Sequence, residues 1–420
     1  MPSAPIPLSD LTEHPIVQAP MAGGPSCPEL AGAVSESGGL GFLAAGYKTP
    51  EAMYEEIKQL RGQTQRPFGV NLFMPHPDNA DRGALERYRA QLAGEAMWYE
   101  TELGETDHAT DDAYEAKLAI LFDDPVPVVS FTFGCPTRQV LERFTKRGTY
   151  TVVTVTSAGE AETAEFLGAD AVCVQGIEAG GHQSTHRDDP QEDGTSSGLA
   201  LLPLLTQVKE SVRLPVVAAG GMMRGKQVAA VLAAGATAAQ LGTAFLVCPE
   251  SGADLLHKQA MTNPLFARTE LTRAFTGRPA RALVNRFLRE HGRYAPAAYP
   301  QVHHLTAGVR KAAAKAKDPQ GMALWAGQGH RLARDLPAAQ LMDVLVTELA
   351  MARERLAKFA GPGQVHGAGL GGDSGTAGAG SGAGSGAGPA AGSGAASGSG
   401  TGATGGAGGA GGASGSGGSA

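Results

Sequence analysis

The chain has little that would staple or anchor it. Its four cysteines, Cys27, Cys135, Cys173 and Cys248, lie far apart, and no C-x-x-C pair occurs. That spacing argues against a zinc ribbon or a disulfide framework. Scattered, reduced thiols fit the cytoplasm. No run of about 18 apolar residues is present, so no membrane span is expected. The start, MPSAPIPLSD, has no basic stretch followed by an apolar core, so no secretory signal is expected. Positive charge is scarce too: 34 Lys and Arg stand against 41 Asp and Glu, a net charge of −7. Nucleic acid is therefore not expected as a partner, because phosphates require a dense basic surface. The most basic stretch, Arg310-Lys311 to Lys317, has the alanine spacing of a solvated helix face.

What is abundant is glycine, and much of it is terminal. From about Gly361 to Ala420 the chain is almost entirely Gly, Ala, Ser and Thr, with Asp373 the only acid and no Lys or Arg. Such a segment has almost nothing apolar to offset the entropy of ordering its backbone. Residues 361–420 read as a disordered, passive tail.

The remaining body, about 360 residues, repeats one pattern. Apolar runs begin near Pro15, Leu40, Phe68, Pro127, Tyr150, Ala171, Pro215 and Ala238. They are continuously apolar, as strands covered on both faces must be. Helix signals follow them. Thr49-Pro50-Glu51 reads as a cap, a first-turn proline and an acid, and the segment Ser157 to Leu167 stops at Gly168. Eight strands alternating with helices predict an α/β fold, a (β/α)8 TIM barrel, over residues 1–254. The stretch 74–124 is too long for a strand–helix connection and is expected to be a helical insertion. Residues 255–360 read as a C-terminal helical subdomain covering the barrel mouth.

Ligands of parallel barrels sit at the C-terminal strand ends. Those ends here carry Gln18, Ala19, Pro20 and Met21, then Asn71, Gln175 to His182, Gly220-Gly221, and Gln240, Leu241, Gly242 and Thr243. Glycine and amides dominate, which suits a neutral planar ligand with a phosphate at one end. Gly220-Gly221 and Gly242-Thr243 follow the seventh and eighth runs, where barrels often hold phosphate on backbone N–H groups. The segment Gln175-Gly176-Ile177-Glu178-Ala179-Gly180-Gly181-His182 leaves room for something flat and ends in an imidazole suited to proton transfer. His182 and His186 have the spacing of a metal pair, but the glycines before them argue for a loop and no third ligand is near, so no metal is expected. Gly39, Gly41 and Ala44 match a loose dinucleotide fingerprint, yet open a strand instead of following one. A Rossmann domain is not expected.

Taken together, PIVQAPMAGG (15–24), SGGLGFLAAGY (37–47), FGVNLF (68–73), SFTFGCP (130–136), VQGIEAGGH (174–182), PVVAAGGM (215–222) and QLGTAFL (240–246) resemble the nitronate monooxygenase family, formerly the 2-nitropropane dioxygenases. AFTGRPARALVNRF (274–287) and LWAGQG (324–329) resemble its class I branch. The resemblance implies FMN, O2 as co-substrate, and oxidation of alkyl nitronates such as propionate 3-nitronate to a carbonyl compound and nitrite. It implies flavin contacts at Asn71, Gln175, Gly180, Gly181, Gly220, Gly221 and Gln240 to Thr243, with Gln18 to Met21 along the ring. His182 matches the family's active-site histidine, and Tyr299 and Lys311 fall where the branch places substrate-side residues. The alternative is an FMN-dependent NAD(P)H reductase, an enoyl-acyl-carrier-protein or quinone reductase, which shares the barrel core and EAGGH. A non-catalytic flavin binder remains as a third reading.

Overall fold

The computed structural model describes residues 8–78, 80–107, 111–188 and 198–359, all within one compact unit. The tail expected at 361–420 lies outside the described residues. Eight strands form the barrel: β1 (Ile16–Gln18), β2 (Gly41–Ala44), β3 (Phe68–Phe73), β4 (Val128–Thr132), β5 (Tyr150–Val155), β6 (Ala171–Gln175), β8 (Val216–Ala219) and β9 (Ala238–Leu241), while β7 (Gly181–His182) belongs to a separate small sheet. Their order is β1-β9-β8-β6-β5-β4-β3-β2. A parallel bridge from Val17 to Leu40 closes the ring, with Gln18 N–H donating to Leu40 O at 2.9 Å. All eight apolar runs of the sequence became barrel strands.

The strand period of two sorts residues by depth. Val17, Val128, Val152, Cys173 and Val217 fill the barrel interior. Ile16, Val70, Val129, Val153 and Val172 face outward onto the helices. The same parity carries Asn71, Thr132, Thr154, Gln175 and Gln240 to the top of the interior, where polar groups meet a ligand instead of a packed layer.

Eight helices surround the strands: α1 (Pro28–Glu36), α2 (Pro50–Gln63), α4 (Tyr114–Asp123), α5 (Arg138–Lys146), α6 (Ala158–Leu167), α7 (Leu201–Ser211), α8 (Gly225–Ala233) and α13 (Ala338–Phe359). Their boundaries follow the local signals. The Thr49 side chain accepts from Ala52 N–H ahead of Pro50. Ser157 caps α6, and Gly168 ends it at φ 96°.

Two sequence boundaries are corrected here. The insertion at 74–124 is divided: α4 is the barrel's own third helix, with Leu118, Leu121 and Phe122 in the barrel core. Only α3 (Arg82–Trp98) belongs to a cap, where Leu85, Tyr88 and Leu92 pack on Phe275, Phe287, Val302 and Leu305. Likewise, residues 255–360 are not one helical lid. Helix α13 is the barrel's eighth outer helix, burying Leu341, Met342, Leu345 and Leu349 against the core. The remainder contains α10 (Leu255–Thr262), α11 (Arg286–His291), α12 (Gln301–Lys315) and two strands, β10 (Thr269–Thr272) and β11 (Ala280–Leu283). β11 pairs antiparallel with β10 and with β7, setting Ala280 opposite His182. The cap is thus hydrogen-bonded to the loop that carries the histidine.

Candidate active site

At the C-terminal mouth of the barrel lies a cavity of about 540 Å3. The size fits a cofactor-scale ligand. Ala19, Pro20, Met21, Asn71, Gln175, Gly180, Gly181, His182, Gly220, Gly221, Gln240, Leu241, Gly242, Thr243 and Lys311 all line it. The fold therefore brings together strand ends separated by more than half the chain.

Gln18 and Tyr299 are not in this wall. Strand parity turns Gln18 away from the interior, and its side chain is fully buried. Its amide donates to Ser26 Oγ at 2.8 Å and accepts from Phe42 N–H at 2.9 Å, locking the end of β1. Tyr299 stands behind His182, ring centroids 5.7 Å apart, and its hydroxyl donates to Tyr47 Oη at 3.1 Å. Lys311 is exposed at the rim.

His182 is fixed from several directions. Its carbonyl accepts from Gln175 Nε2 at 3.0 Å, while Gln175 Oε1 accepts from Ser184 N–H at 2.8 Å. Gln175 thus ties down the loop on both sides of the imidazole. Phe133 and Tyr299 meet the His182 ring edge-on, and Trp325 lies 5.4 Å from it. His182 Nε2 is 3.0 Å from Thr276 Oγ1, whose hydroxyl donates to Arg278 O at 3.4 Å. With that proton so placed, Nε2 carries hydrogen and Nδ1 keeps the lone pair, an assignment made from the network. Burial, then the charges of Arg278 and Arg310, push the His182 pKa down to about 3. At neutral pH the ring is neutral. His186 Nε2 bonds Thr154 O at 2.9 Å, so the two histidines point to different partners.

The glycines divide into two kinds. A Cβ on Gly180 would stand 2.5 Å from Gly327 N, so this residue is bare because the 324–329 segment presses against it. Gly327 N–H in turn donates to Thr243 Oγ1 at 3.0 Å. Gly221, by contrast, has φ 59°, a left-handed backbone that other residues resist. Asn71 donates both amide hydrogens, to Ser130 Oγ and Thr132 Oγ1, each at 2.9 Å. Its carbonyl oxygen is what it offers the cavity.

Besides Tyr299 and Lys311, which the sequence reading named, this part of the site holds Arg278, Arg310, His303 and Tyr47, which it missed. Arg278 is 1 % exposed and stacks 4.1 Å from the Phe133 ring centroid. Arg310, read from the sequence as part of a solvated face, is turned into the cavity wall while its neighbour Lys311 stays at the rim. Arg310 Nε donates to Thr306 Oγ1 at 3.1 Å and Nη2 to His303 O at 2.8 Å. Among the described residues no carboxylate pairs with it. Burial lowers its pKa to about 10. The His303 ring stacks on Tyr47 at 4.2 Å and 3°. Tyr47 itself sits at φ 68°, its N–H held by Asp112 Oδ1 at 2.9 Å, and Asp112 is paired with buried Lys117 at 2.7 Å. The tyrosine in SGGLGFLAAGY was the available signal for Tyr47. For Arg310 the signal was helical phase: it lies seven residues after His303, on the same face.

A family model described as nitronate monooxygenase matches residues 6–348. The chain belongs to the nitronate monooxygenase family. A nitronate monooxygenase of Paraburkholderia phytofirmans is 39% identical over 359 residues, covering 83% of this chain and 95% of that one. A second from Pseudomonas aeruginosa is 39% identical over 348 residues, covering 80% and 96%. Among solved structures, a nitroalkane oxidase from Streptomyces ansochromogenes is 68% identical, with TM-score 0.81, covering 83% of this chain and 99% of its own. FabK from Thermotoga maritima is similar at 27% identity, TM-score 0.66, with 85% and 100% covered. As a nitronate monooxygenase family member the chain is an oxidoreductase acting on a small molecule. Among the described residues no helix is long and apolar enough to cross a membrane.

Proposed function

We propose that this enzyme oxidises alkyl nitronates, of which propionate 3-nitronate is representative, with O2 as the acceptor and a carbonyl compound and nitrite as products, and that it uses FMN. One observation carries the reading: a single cavity joins a glycine double rim to a neutral imidazole flanked by cations. The residues present fit FMN. Gly220-Gly221 and Gly242-Thr243 supply a backbone cradle for its phosphate, and Asn71 supplies an acceptor for a ring N–H. When bound, the flavin supplies a two-electron acceptor next to the substrate. Free thiols at all four cysteines accord with a cytoplasmic enzyme.

The protein's own share follows from charge. A nitronate already lacks the α-proton, so no strong base is needed to handle it. Arg278 and Arg310 make the wall attractive to an anion, and a seated anion offsets the part of the His182 depression that their charges add to burial. With Nε2–H held by Thr276, the imidazole can accept a proton at Nδ1, and return it from there, without leaving its clamp of Gln175 and Thr276. Its low basicity in the free protein favours the preformed nitronate over the neutral nitroalkane.

The purified protein is expected to be yellow, with anaerobic propionate 3-nitronate bleaching the flavin band. The likeness to FabK supports a second reading, an FMN-dependent NAD(P)H reductase. Fast anaerobic bleaching by NADH but not by the nitronate selects that reading and rejects the first.

A further inference from the structure

We infer that Arg310 is a specificity residue: it binds a carboxylate carried by the nitronate substrate, so that the enzyme prefers nitronates bearing a second negative charge. The inference rests on the nitronate reading above and adds to it which part of the substrate this side chain reads.

Arg310 differs from the other arginines near the site. Arg273 holds Asp188 with two bonds of 2.6 and 2.8 Å. Arg278 is enclosed and donates to the carbonyls of Gln183 and Thr185. Arg310 alone of the three lines the cavity. Its hydrogen bonds use Nε and Nη2, and Nη1 has no protein acceptor among the described residues. A guanidinium presents five N–H donors in a planar fork. Held by Thr306 and His303, this fork is ordered before any ligand arrives. Planar oxyanions are the groups such a fork recognises best.

The placement separates this cation from the imidazole. Arg310 comes from α12 and rests on His303, His303 stacks on Tyr47, Tyr47 meets the Tyr299 hydroxyl, and the Tyr299 ring backs His182. A nitronate group placed at His182 leaves the fork for a different group. Chemically that group is a second planar anion, and a carboxylate meets the description. Lys311 at the rim is the competing cation, but it is solvated and its ammonium has no fork.

The test compares propionate 3-nitronate with ethyl nitronate, which lacks the carboxylate. In the flavin-loaded enzyme the ratio of their kcat/KM values is expected to favour the carboxylated substrate. Arg310→Met should reduce that ratio about 30-fold or more; Arg310→Lys should reduce it less. An unchanged ratio, whether both substrates slow together or neither does, overturns the assignment. So does a ratio that falls in Lys311→Met instead. A measurement on the unaltered enzyme guards against a variant that fails to fold. Succinate, a redox-inert isostere of the doubly charged substrate, should inhibit ethyl nitronate turnover at least about tenfold more strongly than butyrate. Equal inhibition by both overturns the proposal. Wild-type enzyme that consumes neither nitronate overturns the activity itself, whereas turnover of both without discrimination overturns only the role of Arg310.

Discussion

The cavity wall and the seam between α3 and α11 use the same side chains, arginine, histidine and tyrosine, in opposite ways. In the seam, Glu95 is 6 % exposed and accepts from Arg286 Nη1 and, at 2.8 Å, from Nη2, with His291 Nε2 at 3.0 Å. Tyr99 donates to Asp318 at 2.6 Å beside them. Burial works to raise the Glu95 carboxyl, and its donors overcome it and hold it at about 2. The bonds to Glu95 raise the pKa of Arg286. In the cavity wall the signs reverse: burial without a carboxylate lowers Arg310 and His182. An ion-paired network ties the cap's own helices together, and one without a carboxylate waits for a ligand to complete it. The seam's carboxylates and histidine lie close enough to resemble a metal site, yet Arg286 already fills the role of cation there.

Breaking the open side is expected to give the largest effect. His182→Asn should slow turnover of a neutral nitroalkane by about 10²- to 10⁴-fold, and the preformed nitronate far less. Equal losses on both, in steady-state assays at one pH, would rule out a proton-abstracting role. On the ion-paired side, Glu95→Ala leaves Arg286 and His291 without their shared acceptor. It should destabilise the protein by roughly 2–3 kcal/mol in urea unfolding, a figure kept low because the Arg286 side chain is 29% exposed. A change near zero would mean the seam contributes nothing to holding α3 against α11.

Acid should separate the two regions. Burial lowers His76 and His257 to about 4 and His303 to about 2, alongside His182. Groups held neutral in the folded chain but charged when unfolded stabilise it fully above 6.5, and that stability is lost as pH falls from 6.5 through the folded values. Glu95 contributes above 4.5 and loses its contribution on the way down to about 2. The urea midpoint should therefore decline between pH 6.5 and 5, before the seam titrates. A flat profile there would show that the histidines accept protons in the folded state. The smallest effect is expected at the terminus: truncation after Pro362 should leave flavin content and turnover unchanged, and loss of flavin would show that the tail is not passive.

Much of the barrel was legible because its signals are local. Continuous apolar runs, the Thr49 cap and the Gly168 stop each act over a few residues, and each appeared where expected. The glycines at 220–221 and 242 could be placed at the mouth from strand order alone. Gln18 misled because a strand-end position does not tell which face its side chain takes; one residue of parity moved it from the mouth to a buried lock. The α4 and α13 helices misled because their amphipathic pattern fits a lid as well as an outer wall. The β10–β11 pair was missed because its strands are four residues long and pair with partners distant in sequence.

Local chemistry in the sequence determined the eight-stranded barrel, its glycine rims and the position of His182 on the sixth strand's loop, since each depends on neighbours a few residues away. Only the tertiary structure decided that Thr276 orients that imidazole, that Arg286 is paired, and that Arg310 is not. Those outcomes depend on which side chains from remote segments arrive at the same point, and a guanidinium's behaviour is set by the carboxylate it meets or lacks.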